Sequence, residues 1–449
     1  MQNLAIKDNG IKSNSYDSIR GAASVEYPLI RMPLLLLFCG YVLIWYLQIG
    51  YRIPLLGTIR FELLYAVGLT LLVVIATPKF DISCPLIPYI VLYVAAMVVQ
   101  IPFSSDFDTS CNVFIDRIIK FAFMSFFIIG FVRSPSNLKY FLGAFLLACL
   151  KMGQEGLVGR LTGALVWENQ GILRLHGATP NYAHPNSFAG MALGTLPFLF
   201  YLWPLSTKYI KIVLLILAVL SLNIILFSAS RTGYVGLSVF LACIFVTSKN
   251  KKKFMIYFIS AAIVCLPLIP GEYVERFDSI FTGKDKEGQS LKSRKEILSD
   301  AWQIFQEHPL GVGISAFPKV RMERFGRSQD THNLYLEIAT NLGIQGFIVV
   351  LVLLYKLLAI LKQVKNSARE GFELTIHADN RNLHFLRYDL KLIEAVASAT
   401  ITFVLIRLAL GFFGMDLYEI YWWFAIGITF AIYTMMMRIN TFIQCRALK

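Results

Sequence analysis

The chain has 449 residues, 56% of them hydrophobic and only 16% charged, with a mean hydropathy of +0.61. A soluble domain carries about 45–50% apolar and about 25% charged residues, so an ordinary soluble fold is excluded. The formal charge of +14 does not mark a nucleic-acid surface, because the basic residues sit between apolar blocks rather than along one soluble face. The composition is that of an all-α polytopic membrane protein.

The first 27 residues are polar and lack the apolar core of a signal peptide, so the first apolar block reads as an uncleaved membrane helix. A spanning helix needs about 20 apolar residues, fewer when its ends snorkel. Twelve blocks qualify, at 33–49, 61–77, 86–103, 113–132, 138–156, 186–203, 212–228, 234–247, 254–270, 333–360, 392–413 and 421–437. With the N-terminus inside, the cytoplasmic segments collect 22 lysines and arginines, including Lys249 and the run Lys251–Lys253. The short outer loops carry five: Arg52, Arg60, Arg160, Arg174 and Arg231. This asymmetry puts both termini in the cytoplasm. The outer loop 271–331 holds ten basic residues, but long loops translocate largely regardless of charge.

The chain therefore reads as one integral membrane domain, 1–449, of about 12 transmembrane helices, with a long outer loop at 271–331 and a cytoplasmic loop at 361–391. Within the outer loop, Lys292–His308 is expected to be helical. Ile297, Ala301, Ile304 and Phe305 fall on one face beside Trp302, and Pro309 with Gly311 and Gly313 ends the helix. Such a helix is expected to lie on the outer membrane interface. The segment 361–391 is charged and without evident periodicity, and is expected to be a solvated connector. The seven cysteines give neither a disulfide framework nor a zinc spacing. Six lie in or beside apolar blocks or in the terminal tail, and Cys111 alone falls in an outer loop.

The polar residues of interest share the outer side. Arg231 sits in a tight turn, Ser-Ala-Ser-Arg-Thr-Gly, where an arginine either snorkels or holds an anion such as a phosphate group. Ser228, Ser230, Thr232 and Gly233 add donors at the next helix's N-terminus. Arg294 opens the loop helix, and alone it reads equally as a solvated helix end. His332 begins the tenth block in Asp-Thr-His-Asn-Leu-Tyr, either as a cap or as a general base, with Asp330 or Glu323 available to orient it.

Arg174 through Asn186 is a turn-rich loop with many donors. Arg117 and Lys120 begin the fourth span. Arg407 lies in the eleventh, about two turns from its outer end, where it either binds substrate or pairs with Asp416 or Glu419. Asp106-Phe107-Asp108 has the spacing of a divalent-cation site but no third ligand, and reads as a turn.

Taken in order, Ser230-Arg231-Thr232-Gly233, Ser293-Arg294, Ala301-Trp302, His308-Pro309-Leu310-Gly311-Val312-Gly313 and His332-Asn333-Leu334-Tyr335-Leu336-Glu337, followed by Gly343 and Gly346, resemble the O-antigen ligase and O-antigen polymerase superfamily of bacterial envelope glycosyltransferases. Arg174, Gly177, Pro185 and Asn186 resemble that family's preceding outer loop.

The resemblance implies a type C glycosyltransferase-like fold in the bacterial inner membrane with a periplasmic active site. It implies an inverting transfer of a glycan from undecaprenyl diphosphate to an acceptor hydroxyl, without metal, nucleotide sugar or other cofactor. Arg231 and Arg294 would hold the diphosphate and His332 would activate the acceptor. Arg174, Asn186, Asp330, Arg117 and Arg407 are further candidates for substrate contact. The expected partners are the lipid-linked donor, membrane lipids, and lipid A–core as a ligase's acceptor; nucleic acid is not among them.

A polymerase would use a second lipid-linked glycan instead, and so needs a second anionic site. Arg117, Lys120, Arg174 and Arg407, with Arg321, Arg324 and Arg327, are the residues to supply it. The reading from another class is a lipid-linked glycan transporter, which would favour midplane charge and internal repeats. Oligomeric state is not legible.

Overall fold

The computed structural model describes residues 25–80, 83–169, 172–248, 250–265, 271, 273, 289–376, 383–414 and 417–447, and nearly all of its regular structure is helical. In chain order the longer helices are α1 Met32–Leu47, α2 Phe61–Ala76, α3 Ile87–Gln100, α4 Lys120–Phe131, α5 Pro135–Thr162, α6 Pro185–Leu202 and α7 Lys208–Phe227. They continue with α8 Arg231–Thr247, α9 Lys251–Cys265, α10 Gln289–Glu307, α11 Phe317–Phe325, α12 Leu334–Ile376, α13 His384–Leu410 and α14 Ile420–Ala447. A helix occupies the described part of every apolar block. Among the described residues six helices (α5, α6, α7, α12, α13 and α14) are long and apolar enough to cross a bilayer, while α1, α2, α3 and α8 are apolar but shorter. Helix length alone therefore does not carry the expected count of about 12 crossings. The segment before Val25, expected in the cytoplasm, and most of 271–288 lie outside the described residues.

The helices α13 and α14 are the most enclosed, whereas α7 and α12 turn much of their apolar surface outwards. Phe424 of α14, 1% exposed, packs against Phe145, Phe198 and Phe403 with ring centroids 4.9–5.9 Å apart. Aromatic pairs of this kind add about 0.5–1.5 kcal/mol each beyond burial. They hold α5, α6 and α13 around α14 directly beneath the site described below.

The all-α expectation holds with one small addition, and one expectation is corrected. Among the described residues the fold is helical apart from one short element: Val166–Asn169 (β1) and Ile172–Leu175 (β2) form an antiparallel hairpin, with Trp167 opposite Arg174. The segment 361–391 is not simply a solvated connector. The helix α12 continues to Ile376 and α13 starts at His384. Leu361, Val364, Ala368 and Thr375 are buried, and their spacing of three, four and seven keeps them on one helical face. Charged residues between them masked this period.

α12 is broken once. Gly343 has φ 68° and ψ −173°, and the chain after α10 lies in the gap. The N–H groups of Val312 and Gly313 donate to the carbonyls of Thr340 and Asn341 at 2.8 and 3.0 Å, and Ile344 N–H donates to the Pro309 carbonyl at 2.9 Å. The amide groups of Gln100 and Gln345 both donate to the Leu310 carbonyl, at 2.9 and 2.7 Å. A broken helix at membrane depth is tolerated where its freed backbone groups find partners. This explains the glycines of the His-Pro-Leu-Gly-Val-Gly segment and its downstream partner. A Cβ on Gly343 would stand 2.2 Å from the Leu310 carbonyl carbon, and one on Gly311 2.6 Å from the Gly343 nitrogen.

Within the loop 271–331, the described stretch 289–331 forms a two-helix cap. Ala301 and Ile304 of α10 pack with Val312, Ala316, Phe317 and Val320 into a second small core. Arg321, 1% exposed, donates to Asp300 at 2.9 Å, and Arg327 joins Glu296 and Asp300 at 2.8 and 3.2 Å. The Ile297–Ala301–Ile304 face thus turns towards protein rather than towards the membrane interface, while Trp302 on the other side is exposed and packs on Phe305.

Gly343→Ala forces a side chain into a left-handed position and into the Leu310 backbone, a backbone strain of about 1–3 kcal/mol before the clash is counted. Thermal unfolding in detergent should show a clear loss of stability, with faster proteolysis between α10 and α11. Unchanged melting would contradict the role given to this break.

Candidate active site

Where the N-termini of α6, α8 and α14 and the C-terminus of α13 meet α10 and the segment 329–332, they surround a cavity of about 750 Å³. Its lining includes five arginines (Arg117, Arg174, Arg231, Arg294 and Arg407), two histidines (His184 and His332) and one carboxylate, Glu419. Trp45, Phe121, Phe145, Phe403 and Leu410 supply apolar wall. Residues more than 200 positions apart in sequence thus share one chamber whose charge is strongly positive.

Each functional side chain is placed by a local device. Ser230 caps α8 by accepting the Gly233 N–H at 3.0 Å, which puts Arg231 at the first helical position with its side chain at the cavity. Arg174, on β2 and 7% exposed, donates through Nε to the Ser228 carbonyl and through Nη2 to Asn186 Oδ1, both at 3.0 Å. It therefore ties the hairpin, the turn before Arg231 and the start of α6 together. Arg294 lies on α10, one turn before Ile297, and both face the cavity. The helix begins at Gln289, so Arg294 is inside it rather than at its opening.

His332 precedes Asn333, whose Oδ1 accepts the N–H groups of Tyr335 and Leu336 at 3.0 and 3.1 Å and caps α12. A positive φ of 49° at His332 turns the chain there, a conformation that His adopts more readily than most residues. Its exposed side chain stands at the cavity. Partial removal from water lowers its basicity, Asp330 raises it, and Arg294 and Arg321 lower it again, leaving it below the usual imidazole value. Among the described residues Asp330 makes no hydrogen bond to the ring. It accepts from the Thr331 N–H at 2.8 Å and acts on His332 through space. Burial raises the Asp330 carboxyl, against the Thr331 N–H and His332. Glu323 is exposed on α11.

Several expected roles are taken up otherwise. Arg117 pairs with Glu419 at 2.7 Å across a π-helical turn, Phe114–Ile119. Arg321, Arg324 and Arg327, offered as a second anion site, are each ion-paired, Arg324 with Glu307 at 3.2 Å. They hold the cap together and are not on the cavity wall. Asp106 caps the short helix Phe107–Val113, accepting from the backbone and hydroxyl of Thr109. Arg407 lies in the last turn of α13, which ends at Leu410, not two turns from the end. Glu419 pairs with Arg117, and Asp416 lies outside the described residues.

His184 was not singled out by the sequence. Its Nδ1 accepts the Asn186 N–H at 3.1 Å, capping α6 in front of Pro185. Burial, then Arg174, then His332 lower its basicity. The available signal was its position before Pro-Asn at a helix start, where Asn or Ser is the commoner cap. The N-termini of α6, α8 and α12 consequently all border the cavity, and helix N-termini favour anions.

No curated protein matches the chain. Residues 216–351, from within α7 to within α12, match the family model described as O-antigen ligase. That segment, 136 of the 449 residues, carries Arg231, Arg294 and His332, and the apolar helices around it are those of a membrane protein. Over this segment the chain is similar to the O-antigen ligase family, in line with the resemblance carried by its motifs.

Proposed function

We propose that the cavity binds an undecaprenyl-diphosphate-linked glycan and transfers the glycan to an acceptor hydroxyl, as an O-antigen ligase does to lipid A–core. One observation carries this reading. Five arginines and three helix N-termini surround a cavity whose single carboxylate is already paired, and a histidine of lowered basicity stands at its wall. A diphosphate is the leaving group that needs such a setting, because it gathers negative charge as the anomeric bond breaks.

In this reading Arg231 and Arg294 hold the diphosphate. His332, neutral, takes the proton from the acceptor hydroxyl. The acceptor oxygen bonds to the anomeric carbon, and the electron pair of the broken bond goes to the phosphoryl oxygen of departing undecaprenyl diphosphate. A single displacement inverts the anomeric centre. Preorganised guanidinium groups stabilise the charge that a divalent cation would otherwise meet. Arg174 and Asn186 keep Arg231 in place. The polar residues on the cavity wall belong to segments that the charge pattern assigns outside, which supports a periplasmic site in the inner membrane with both termini cytoplasmic. The ion pairs of Arg321, Arg324 and Arg327 remove part of the second anion site that a polymerase would use.

His332→Ala should cut transfer by about 10²-fold or more, and Arg231→Ala should do so too, in proteins that remain folded. The assay is purified enzyme with EDTA, undecaprenyl-diphosphate glycan, and either lipid A–core or further donor as acceptor. Product on lipid A–core supports the ligase reading, and a ladder from donor alone replaces it with a polymerase. Full activity of either variant refutes the assignment.

The pH profile gives an independent check. A base must be unprotonated, and His332 lies below the usual imidazole value near 6.5. Transfer should therefore rise through an acid limb centred below that value and be level by neutral pH. Replacement of His332 should abolish the limb along with most of the rate.

A further inference from the structure

Arg407 is 6% exposed and sits on the cavity wall in the last turn of α13. Its Nη2 donates to the Gly190 carbonyl at 2.9 Å. The guanidinium carbon lies 3.8 Å from the ring centre of Tyr421 and 5.3 Å from that of Phe403. Room for this head group is made by α6. A Cβ on Gly190 would be 3.1 Å from Nη1 and one on Gly194 3.2 Å from Nη2. Nε is buried without a hydrogen-bond partner, and among the described residues no carboxylate reaches the group within 4.0 Å. The contrast with equally buried Arg321 is direct, since that residue has Asp300 at 2.9 Å.

Three local effects favour a cation here: two aromatic faces, one carbonyl and the negative end of α13. Each compensates in part. None supplies the counter-charge that a desolvated guanidinium demands. An arginine so placed, with a two-glycine notch cut for it and a cavity in front of it, is built for an anion that arrives from elsewhere.

We infer that Arg407 is a second, inner anion-binding residue of the cavity, and that its ligand is a phosphoryl group carried on an apolar tail. Phosphate rather than a soluble anion fits because Phe145, Met191, Leu193, Phe403 and Leu410 make this part of the wall apolar. A lipid-borne phosphoryl group brings its own apolar partner to such a place, whereas a free anion surrenders hydration for one guanidinium. The inference deepens the proposed function and rests on the cavity being a lipid-phosphate site. The phosphoryl group has two sources, the diphosphate of the donor or a phosphate of a lipid acceptor.

The test uses full-length protein in nanodiscs, as wild type, Arg407→Gln, Arg407→Lys and Asp416→Asn. Melting without ligand is measured first, then binding of undecaprenyl diphosphate and of lipid A–core. A cation awaiting its anion makes a distinctive prediction. Arg407→Gln should melt no lower than wild type, because it removes an uncompensated buried charge, yet bind its lipid phosphate at least tenfold more weakly. Arg407→Lys should fall between, since lysine keeps the charge but lacks the planar fork. Weakened undecaprenyl diphosphate binding assigns the group to the donor, and weakened lipid A–core binding alone assigns it to the acceptor.

A lower melting temperature in Arg407→Gln, matched by Asp416→Asn and not additive with it, would make Arg407 half of a structural ion pair and end the proposal. So would unchanged affinity for both lipids, with the wider cavity reading intact if wild type binds undecaprenyl diphosphate. Wild type that binds neither lipid would overturn both.

Discussion

The insertion of Pro309–Gly313 into the break of α12 fixes more of this molecule than any other contact. On one side it anchors the end of α10, and with it Arg294. On the other it sets the short first segment of α12, whose cap places His332. The carbonyls of Thr340 and Asn341, freed by the break, receive the N–H groups of Val312 and Gly313, so the two sides are coupled through backbone rather than side chains. Backbone coupling depends on two glycines meeting without Cβ atoms, and tolerates little variation there. The cap formed by α10 and α11 then closes over the cavity, held by the buried Arg321–Asp300 pair. Removing one partner of such a pair leaves a buried charge and costs about 3–5 kcal/mol.

Gathering five guanidinium groups around one chamber is unfavourable unless each is anchored. The anchors differ in kind. Arg174 is spent on a backbone carbonyl and an amide oxygen, and Arg117 on a carboxylate. Arg407 is held by ring faces and one carbonyl. Arg231 and Arg294 are set by a helix cap and a helix face. The anchors thus differ from one arginine to the next, a distinction that sequence position does not make.

Much of this is legible in the sequence, because the signals are local. Long apolar runs became helices, Ser230 and Gly233 behaved as a helix start, and the expected loop helix formed within a few residues of its predicted bounds. What was misread depended on partners distant in sequence. The ion pairs that occupy Arg321, Arg324 and Arg327 are made with residues 17 to 31 positions away. The buried period at Leu361, Val364 and Ala368 was hidden because a helix packing on its neighbour keeps its charged residues on the other face. The hairpin at 166–175 was missed although Val166, Trp167, Ile172 and Leu173 have strand character. That Arg407, Arg231 and His332 share a cavity follows from how α6, α8, α12 and α13 pack, which no spacing rule encodes.

The positive field of the cavity serves two ends that oppose each other in the empty protein and support each other in a complex. Arginine charge attracts an anion, while removal from water, against Asp330 and with added help from Arg294 and Arg321, lowers the basicity of His332. Neutral histidine is the form able to accept a proton, so the resting site is poised for base chemistry at ordinary pH. Its weakness is that a depressed basicity also lowers the drive for proton transfer. A bound diphosphate cancels part of the field, and by linkage must raise the histidine's proton affinity as it binds. The base would then strengthen only when the leaving group is in place. In the proposed reaction Arg294 would thus do two things: hold the phosphate and, beside the larger effect of burial, temper His332 until the diphosphate is bound.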